Sequence, residues 1–214
     1  VKVGDKSLKQ AGSVDGLGEG EQIKSVRFVG DTGYVVTFRQ TDPLYTVDLS
    51  NPKKPRTTGE LKIPGYSAYL HPVSGDRLIG VGKDGDEDGN LTGAQVGLYD
   101  VGDPEDPTEM DRYSIPGGTS EVEHDPHAFL YWPDREYVIV PVSDGDDLDV
   151  STLVLKVGKD GLSKVGTVEQ DSDNSYSTTS RSIVIGTALW TITDEGMKAS
   201  DLDSLTEREW LAYE

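Results

Sequence analysis

The clearest candidate for metal chemistry in the sequence is one short acidic stretch. Residues 84–90 read Asp-Gly-Asp-Glu-Asp-Gly-Asn, which matches the D-x-D-x-D-G start of an oxygen-ligand calcium loop. Calcium prefers carboxylate and carbonyl oxygens, and alternate residues of a tight loop converge on one point. The candidate ligands are Asp84, Asp86, Asp88, the backbone carbonyl of Asn90, and Thr92. The pattern makes Ca²⁺ the candidate cofactor.

A second interpretation of this loop stays open. The twelfth position of the pattern is Gln95 and not Glu, so a site here is expected to bind calcium more weakly than an EF-hand. The chain contains 39 Asp and Glu residues, so such pairs also arise in ordinary solvated hairpins. A second acidic stretch, 144–149, lacks the glycine at the sixth position and is the weaker metal candidate.

Two of the three histidines stand close together, at His124 and His127, with Asp125 between them. Two imidazoles and one carboxylate are ligands that suit a transition metal. The spacing fits no zinc signature, and three ligands from one short loop seldom make a complete site. A structural, hydrogen-bonding role is therefore the competing interpretation.

Charge and composition exclude several kinds of partner and chemistry. The net charge of -19 repels phosphate backbones and anionic lipid, so no nucleic acid or membrane-surface partner is expected. No apolar run of about 18 residues is present, so we expect no membrane insertion in this segment. The chain has no Cys, which excludes disulfides and thiol catalysis. No signal-peptide core and no initiator Met stand at residues 1–10, which suggests an excised or processed piece.

The elements that would position these residues are predicted to be β-strands. Short runs rich in Val, Ile, Tyr and Thr recur between Gly, Asp and Pro residues, and helical periodicity is nearly absent. Runs of this kind stand at 34–38, 77–81, 137–140 and 189–192. The sequence therefore predicts an all-β fold.

An internal repeat gives the architecture. Residues 48–55 match residues 100–107, with the prolines in register, and the Ile-Pro-Gly at 63–65 recurs at 115–117 at the same offset. Repeated four-stranded units of about 40–50 residues are typical of a β-propeller, in which each sheet buries its faces against its neighbours. We predict about four blades, at 23–65, 66–117, 124–170 and 177–214, within one domain spanning 1–214.

The first 22 residues do not begin such a unit, and they resemble the last hairpin of a preceding blade. A leftover hairpin fits a closed four-bladed ring poorly. We therefore expect a fragment of a larger propeller, with pairing between chains as a further possibility for the fragment.

Comparison of the units places several polar residues near the start of the innermost strands, at the rim of the channel where propellers usually bind ligands. Converging polar groups at a cleft are the usual signature of a ligand site. The simpler alternative is that the arginines only neutralise neighbouring carboxylates. The candidates are Arg27, Ser67, His124, Asp125, His127 and Arg181.

Two stretches carry a resemblance to a known family. Residues 18–50 contain Gly-Glu-Gly-Glu-Gln-Ile-Lys-Ser-Val-Arg-Phe-Val-Gly-Asp and Tyr-Val-Val-Thr-Phe, and residues 59–72 read Gly-Glu-Leu-Lys-Ile-Pro-Gly-Tyr-Ser-Ala-Tyr-Leu-His-Pro. They resemble bacterial secreted proteins with a C-terminal β-propeller domain distantly related to WD-repeat propellers. The resemblance implies an extracellular or cell-surface location, and the biochemical function of that family is not established.

The sequence thus predicts a non-catalytic binding or scaffold module of an exported protein, with an unidentified protein or carbohydrate ligand. Signatures of hydrolases and of phosphate-binding loops are absent. The alternative is a metal-dependent or other hydrolase with its site at the rim, around residues 124–127.

Overall fold

The computed structural model describes residues 2–4, 7–39, 42–86, 88–145, 150–170 and 179–213. In this part of the chain the strands form four stacked sheets and one short hairpin, and the paired strands run antiparallel. The prediction of an all-β fold with about four four-stranded units and an N-terminal hairpin is confirmed. The predicted limits of the individual blades stay predictions.

The first two sheets follow the N-terminal hairpin, and in each the strands lie in chain order. The hairpin consists of β1 (Lys2–Gly4) and β2 (Ser7–Lys9). The first sheet contains β3 (Gln22–Val29), β4 (Thr32–Phe38), β5 (Asp42–Asp48) and β6 (Arg56–Ile63). The second contains β7 (Tyr66–Val73), β8 (Arg77–Gly85), β9 (Leu91–Asp100) and β10 (Thr108–Pro116).

The third sheet departs from this plan at its innermost position. Both β11 (Thr119–Ser120) and β12 (Leu130–Trp132) pair with β13 (Tyr137–Ser143), and two 3-10 helices, Glu121–Glu123 and Pro126–Ala128, separate them. The sheet continues with β14 (Val150–Val157) and β15 (Leu162–Glu169). The fourth sheet contains β16 (Arg181–Ile185), β17 (Ala188–Ile192), β18 (Gly196–Asp201) and β19 (Glu207–Ala212).

Each sheet buries its two faces in two different apolar cores, because successive side chains of a strand point to opposite faces. In β8, Leu78 joins the core shared with the first sheet, and Ile79 joins the core shared with the third. In β13, Val138 and Ile139 divide in the same way between the second and the fourth sheet. Stacking of this kind lets a chain with only 34% hydrophobic residues bury its sheets.

The fourth strand of every sheet carries a β-bulge, and in the first two sheets the residue after the bulge contacts the next sheet along the chain. The bulged residues are Thr58, Met110, Val165 and Arg208. After the first of them, Gly59 lies against the loop that contains Pro104. After the second, Asp111 accepts a hydrogen bond of 2.6 Å from the backbone of Leu162.

Residues 10–17 cover part of the first sheet. They lie against it as the fourth strand of one blade lies against the next blade. Val14 and Leu17 pack against Val35 and Tyr45, while Gly12 lies against the loop at Pro52 as Gly59 does against Pro104. The inner strand β3 stays uncovered on this side. The described residues therefore form an open series of blades, as expected of part of a larger propeller.

Candidate functional site

An insertion in the innermost strand of the third blade forms the centre of the candidate site. Ser120 caps the first 3-10 helix, since its side chain accepts the backbone N–H of Val122 while Glu123 bonds back to the backbone of Ser120. Asp125 caps the second in the same manner, by accepting the backbone N–H of His127 at 3.0 Å. Residues 124–127, predicted to lie at the start of the innermost strand, form this turn before β12 and are not part of the strand, because these local side-chain bonds offer the backbone an alternative to the ladder.

The structure brings three of the predicted rim residues together, and we call Asp125, His127 and Arg181 the rim cluster. The Oδ1 atom of Asp125 lies 2.9 Å from Nδ1 of His127, and its Oδ2 atom accepts a hydrogen bond of 2.8 Å from Nη1 of Arg181. Arg181 belongs to β16 of the fourth blade, so the cluster joins two blades. The side chain of His127 is 76% exposed, which leaves its ring open to solvent.

These contacts keep the carboxyl group of Asp125 ionised. Hydrogen bonds from the backbone of His127 and from Arg181 hold the pKa of Asp125 well below its usual range. The carboxylate is therefore ionised at all physiological pH values. It accepts hydrogen bonds both from Arg181 and from the backbone of His127. Arg181 therefore neutralises a neighbouring carboxylate, as the simpler alternative for the arginines expected.

The other predicted rim residues lie outside this cluster. Ser67 is buried, and its backbone carbonyl accepts a hydrogen bond of 2.7 Å from Ser25, which ties the inner strands of the first two blades together. His124 is exposed, and its backbone N–H donates to the carbonyl of Glu121. Arg27 is half-buried on β3 and acts electrostatically on His71.

An aromatic group that the sequence reasoning missed lies between the second and third blades. The ring of His71 packs 4.9 Å from Phe129 and 5.7 Å from Tyr131, and its Nδ1 atom lies 3.2 Å from the hydroxyl of Tyr69. Burial and the positive charge of Arg27 lower the pKa of His71 from 6.5 to about 4. The sequence did contain a signal for this group. Two ring side chains stand two residues apart at 69 and 71, and again at 129 and 131, and this spacing places both rings of each pair on one side of an extended chain.

The predicted calcium loop is held by hydrogen bonds of its own. Asp84 forms an ion pair with Arg112, with 2.9 Å between Oδ1 and Nη1. The Oδ1 atom of Asp86 accepts the backbone N–H groups of Asp88 at 3.0 Å and Asn90 at 2.8 Å. The carbonyl of Asn90 accepts the N–H of Asp86 at 3.0 Å. The structure thus brings Asp86, Asp88 and Asn90 together as a turn and directs Asp84 toward β10.

The remaining proposed ligand, Thr92, uses its backbone carbonyl to accept the N–H of Gly117 at 2.8 Å. Within the described ranges, no group of three or more His, Asp or Glu side chains is placed to hold a metal ion. In the second acidic stretch, 144–149, residues 146–149 lie outside the described residues. Calcium binding stays a prediction.

A cleft of about 370 Å³ lies where the repeated loops of the first two blades meet. Asp48 lies on one side of it and pairs with Arg56 at 3.2 Å, while Asp103 and Glu105 lie on the other side. The repeated stretches 48–55 and 100–107 supply most of these groups, so the sequence held the signal for an acidic cleft.

Across the described residues, no helix is long and apolar enough to cross a membrane.

Stacked four-stranded antiparallel sheets with a polar cluster at their inner strands define a protein of the β-propeller class. Residues 1–205 match the family described as the beta propeller domain, and the chain belongs to that family. The propeller part of the resemblance found in the sequence is therefore confirmed.

Two archaeal proteins are close relatives over part of the chain. An uncharacterized protein of Methanocaldococcus jannaschii is 46% identical over 135 residues, which are 63% of this chain and 21% of that protein. An uncharacterized protein of Archaeoglobus fulgidus is 46% identical over 126 residues, 59% of this chain and 19% of that protein. The chain thus spans about a fifth of the length of these relatives, and their archaeal origin does not show the expected bacterial, secreted character.

Among solved structures, a europium-containing methanol dehydrogenase superimposes with a TM-score of 0.57. The match covers 90% of this chain and 43% of that enzyme, at 12% sequence identity. A likeness at this identity concerns the fold alone, since propellers host both enzymes and binding modules.

Proposed function

We propose that this chain is a non-catalytic binding module whose protein or carbohydrate ligand contacts the rim cluster. The observation that carries the proposal is the insertion in the third blade, which holds His127 toward solvent while Arg181 of the next blade bonds to its neighbour Asp125. Side chains positioned in this way by a rigid scaffold are the usual arrangement of a recognition site.

The chemistry of the rim cluster suits a neutral, polar ligand. A carboxylate accepts hydrogen bonds, a guanidinium donates them, and the free Nε2 atom of His127 does either, depending on its protonation state. Hydroxyl groups of a sugar and polar groups of a protein loop both match such a set. The net charge of -19 supports the further proposal that nucleic acids and anionic membranes are not the partners.

A hydrolase centred on residues 124–127 is the less favoured function. An Asp–His pair acts as a base when the carboxylate stabilises the imidazolium that forms. Here Asp125 already bonds to Arg181 and to the backbone of His127, and its pKa is held well below the usual range. The carboxylate of Asp125 is thus already engaged by groups other than the ring of His127.

The binding proposal is tested with the purified chain on a glycan array and on a peptide array. The test variant combines Asp125→Ala with Arg181→Ala. The matched control combines Arg135→Ala with Asp203→Ala, because that exposed pair also joins the third and fourth blades, at 2.8 Å. We expect a ligand that the wild type and the control retain and the test variant loses. Equal binding by all three proteins would place recognition elsewhere, and no binding on either array would overturn the proposed ligand classes.

We also propose that the protein acts at the cell surface or outside the cell. The support for this location is the resemblance carried by residues 18–50 and 59–72. An antibody against the chain is expected to label intact cells of the source organism. Labelling that requires permeabilised cells would contradict the proposed location.

A further inference from the structure

We propose that Arg27 binds the carboxylate of a sugar acid at the innermost strands of the first three blades. Arg27 lies outside the rim cluster, so the proposal does not depend on what that cluster binds. The group formed by Arg27, Tyr69, His71 and Tyr131 is called the Arg27 site.

Arg27 is a half-buried cation whose side chain makes no hydrogen bond or ion pair with any residue that the structure describes. The chain has 39 acidic residues against 20 Lys and Arg, so an unpaired cation stands out. Removing water from a charge costs free energy unless a partner compensates it. The three other half-buried arginines among the described residues do pair with a carboxylate, Arg77 with Glu136, Arg112 with Asp84 and Arg181 with Asp125.

The side chain of Arg27 points toward the second blade. On β3 it is paired with Tyr34, which belongs to the core shared by the first two blades. Its neighbours Val26 and Phe28 point to the opposite face of the strand and are 44% and 66% exposed there. A further unit packed on that opposite face would cover Val26 and Phe28 and would leave Arg27 on the face toward the second blade.

Arg27 lies beside the aromatic group between the second and third blades. Burial lowers the pKa of His71, and the positive charge of Arg27 lowers it further, so the guanidinium lies within electrostatic range of that ring. The ring of His71 lies 5.7 Å from the ring of Tyr131, and its Nδ1 atom lies 3.2 Å from the hydroxyl of Tyr69. Both tyrosines are half-buried, so part of each side chain is open to a ligand.

A cation beside aromatic side chains suits a ligand with an apolar ring face and one anionic group. The planar guanidinium of an arginine forms two parallel hydrogen bonds with a carboxylate. A sugar acid such as glucuronate combines a carboxylate with a ring whose C–H groups can pack on the tyrosines. It would supply the partner that Arg27 lacks within the described residues.

The charge of the chain favours a carboxylate over a phosphate. The net charge of -19 repels every anion at long range, and a phosphate monoester with a charge of about -1.5 to -2 is repelled more than a carboxylate with one charge. Contact with a partly buried guanidinium acts at short range, where salt screens the attraction much less.

The test is an NMR titration of the purified chain with glucuronate, glucose and glucose 6-phosphate, read from the ring signals of His71. Glucuronate should shift these signals and raise the pKa of His71, because a bound carboxylate offsets the charge of Arg27. Glucose lacks the charged group and should bind at least about 10-fold more weakly. Glucose 6-phosphate should also bind more weakly than glucuronate.

Two variants of Arg27 sharpen the test. Arg27→Gln should weaken glucuronate binding at least about 10-fold, and Arg27→Lys, which keeps the charge without the planar fork, should weaken it less. The matched control is Arg39→Gln, the same substitution at an exposed arginine of the first blade, which should bind glucuronate like the wild type. Circular dichroism checks the folding of all three variants.

Several outcomes would overturn the proposal. One is a His71 ring that does not respond to millimolar glucuronate. Another is equal binding of glucose and glucuronate, or equal binding of glucuronate by the wild type and Arg27→Gln, because the carboxylate would then not contact Arg27. Tighter binding of glucose 6-phosphate than of glucuronate would overturn the choice of a carboxylate. An equal loss of binding in Arg39→Gln would show that only the overall charge matters.

Discussion

A β-carbon added to Gly59 would lie 2.5 Å from the carbonyl oxygen of Pro104 and 2.9 Å from Cδ of Pro107. Gly59 belongs to the first blade, and both prolines belong to the repeated loop of the second. The same contact occurs one unit earlier, where Gly12 lies against Pro52. The proline repeat that is visible in the sequence therefore marks the surface by which one blade packs against the unit before it.

This contact predicts that Gly59→Ala destabilises the protein. The methyl group has no room between β6 and the backbone of the second blade, and overpacking of this kind costs about 1–3 kcal/mol. Urea unfolding measures the loss. Gly33→Ala is the control, because Gly33 also lies within a strand but a β-carbon there would meet only side chains, the ring of Phe28 at 3.3 Å and Cδ1 of Leu49 at 3.4 Å. A Gly59→Ala protein as stable as the control would show that the loop moves aside freely.

The rim cluster predicts a dependence of stability on acid pH. The pKa of Asp125 is lowered in the folded protein, so its stabilising contribution is present above its ordinary value near about 4 and is lost as the pH falls below it. Asp125→Asn should lower the free energy of unfolding at pH 7. The difference from wild type should shrink as the pH falls below about 4. A difference that stays constant between neutral and strongly acidic pH would rule out this contribution.

His71 predicts a second effect at milder pH. Its pKa is about 4 in the folded protein and 6.5 ordinarily, so the unfolded chain takes up a proton first. The wild type should lose stability as the pH falls from 6.5 to about 4, and His71→Gln should lack this loss. The gap in unfolding free energy between the two proteins should therefore narrow over that range. NMR titration provides the direct check, and a His71 ring that titrates near 6.5 would contradict the prediction.

The calcium hypothesis for residues 84–92 makes a prediction that a simple turn does not. If the loop binds calcium, millimolar calcium should raise the melting temperature, because only the folded loop presents the ligands. Asp84 would then exchange Arg112 for the ion. Asp86→Asn keeps an oxygen that can accept the N–H of Asn90 but loses a ligand charge, so it should reduce this rise.

Asp86→Ala should remove the rise altogether and also weaken the turn. If calcium does not change the melting temperature of the wild type, the loop is an acidic hairpin that binds no calcium. An equal rise in the wild type and in both variants would place the calcium at another part of the chain.

Much of the fold follows from the sequence because it is written in local patterns. Alternating apolar residues define strands such as β4 and β13, and turn residues separate them. The matching stretches 48–55 and 100–107 occupy the same loop in successive blades. In each, the first Asp accepts the N–H two residues on, from Ser50 and from Gly102. Equal sequence gives equal structure here because the bonds that shape the loop lie within it.

The candidate site was only partly predictable, because its contacts join distant parts of the chain. Arg181 meets Asp125 across two blades, and His71 meets Phe129 across another pair. The spacing of acidic residues at 84–90 indicated a metal loop, but the packing of β10 beside it supplies Arg112 to Asp84.

Sequence alone determined the strands, their repetition and the β-propeller architecture, since each depends on residues near one another in the chain. Tertiary structure alone decided which polar side chains meet and which apolar faces pack against one another. Those outcomes depend on how one sheet stacks on the next. The residues next to Asp125 or His71 in the chain do not indicate which side chains of another blade will contact them.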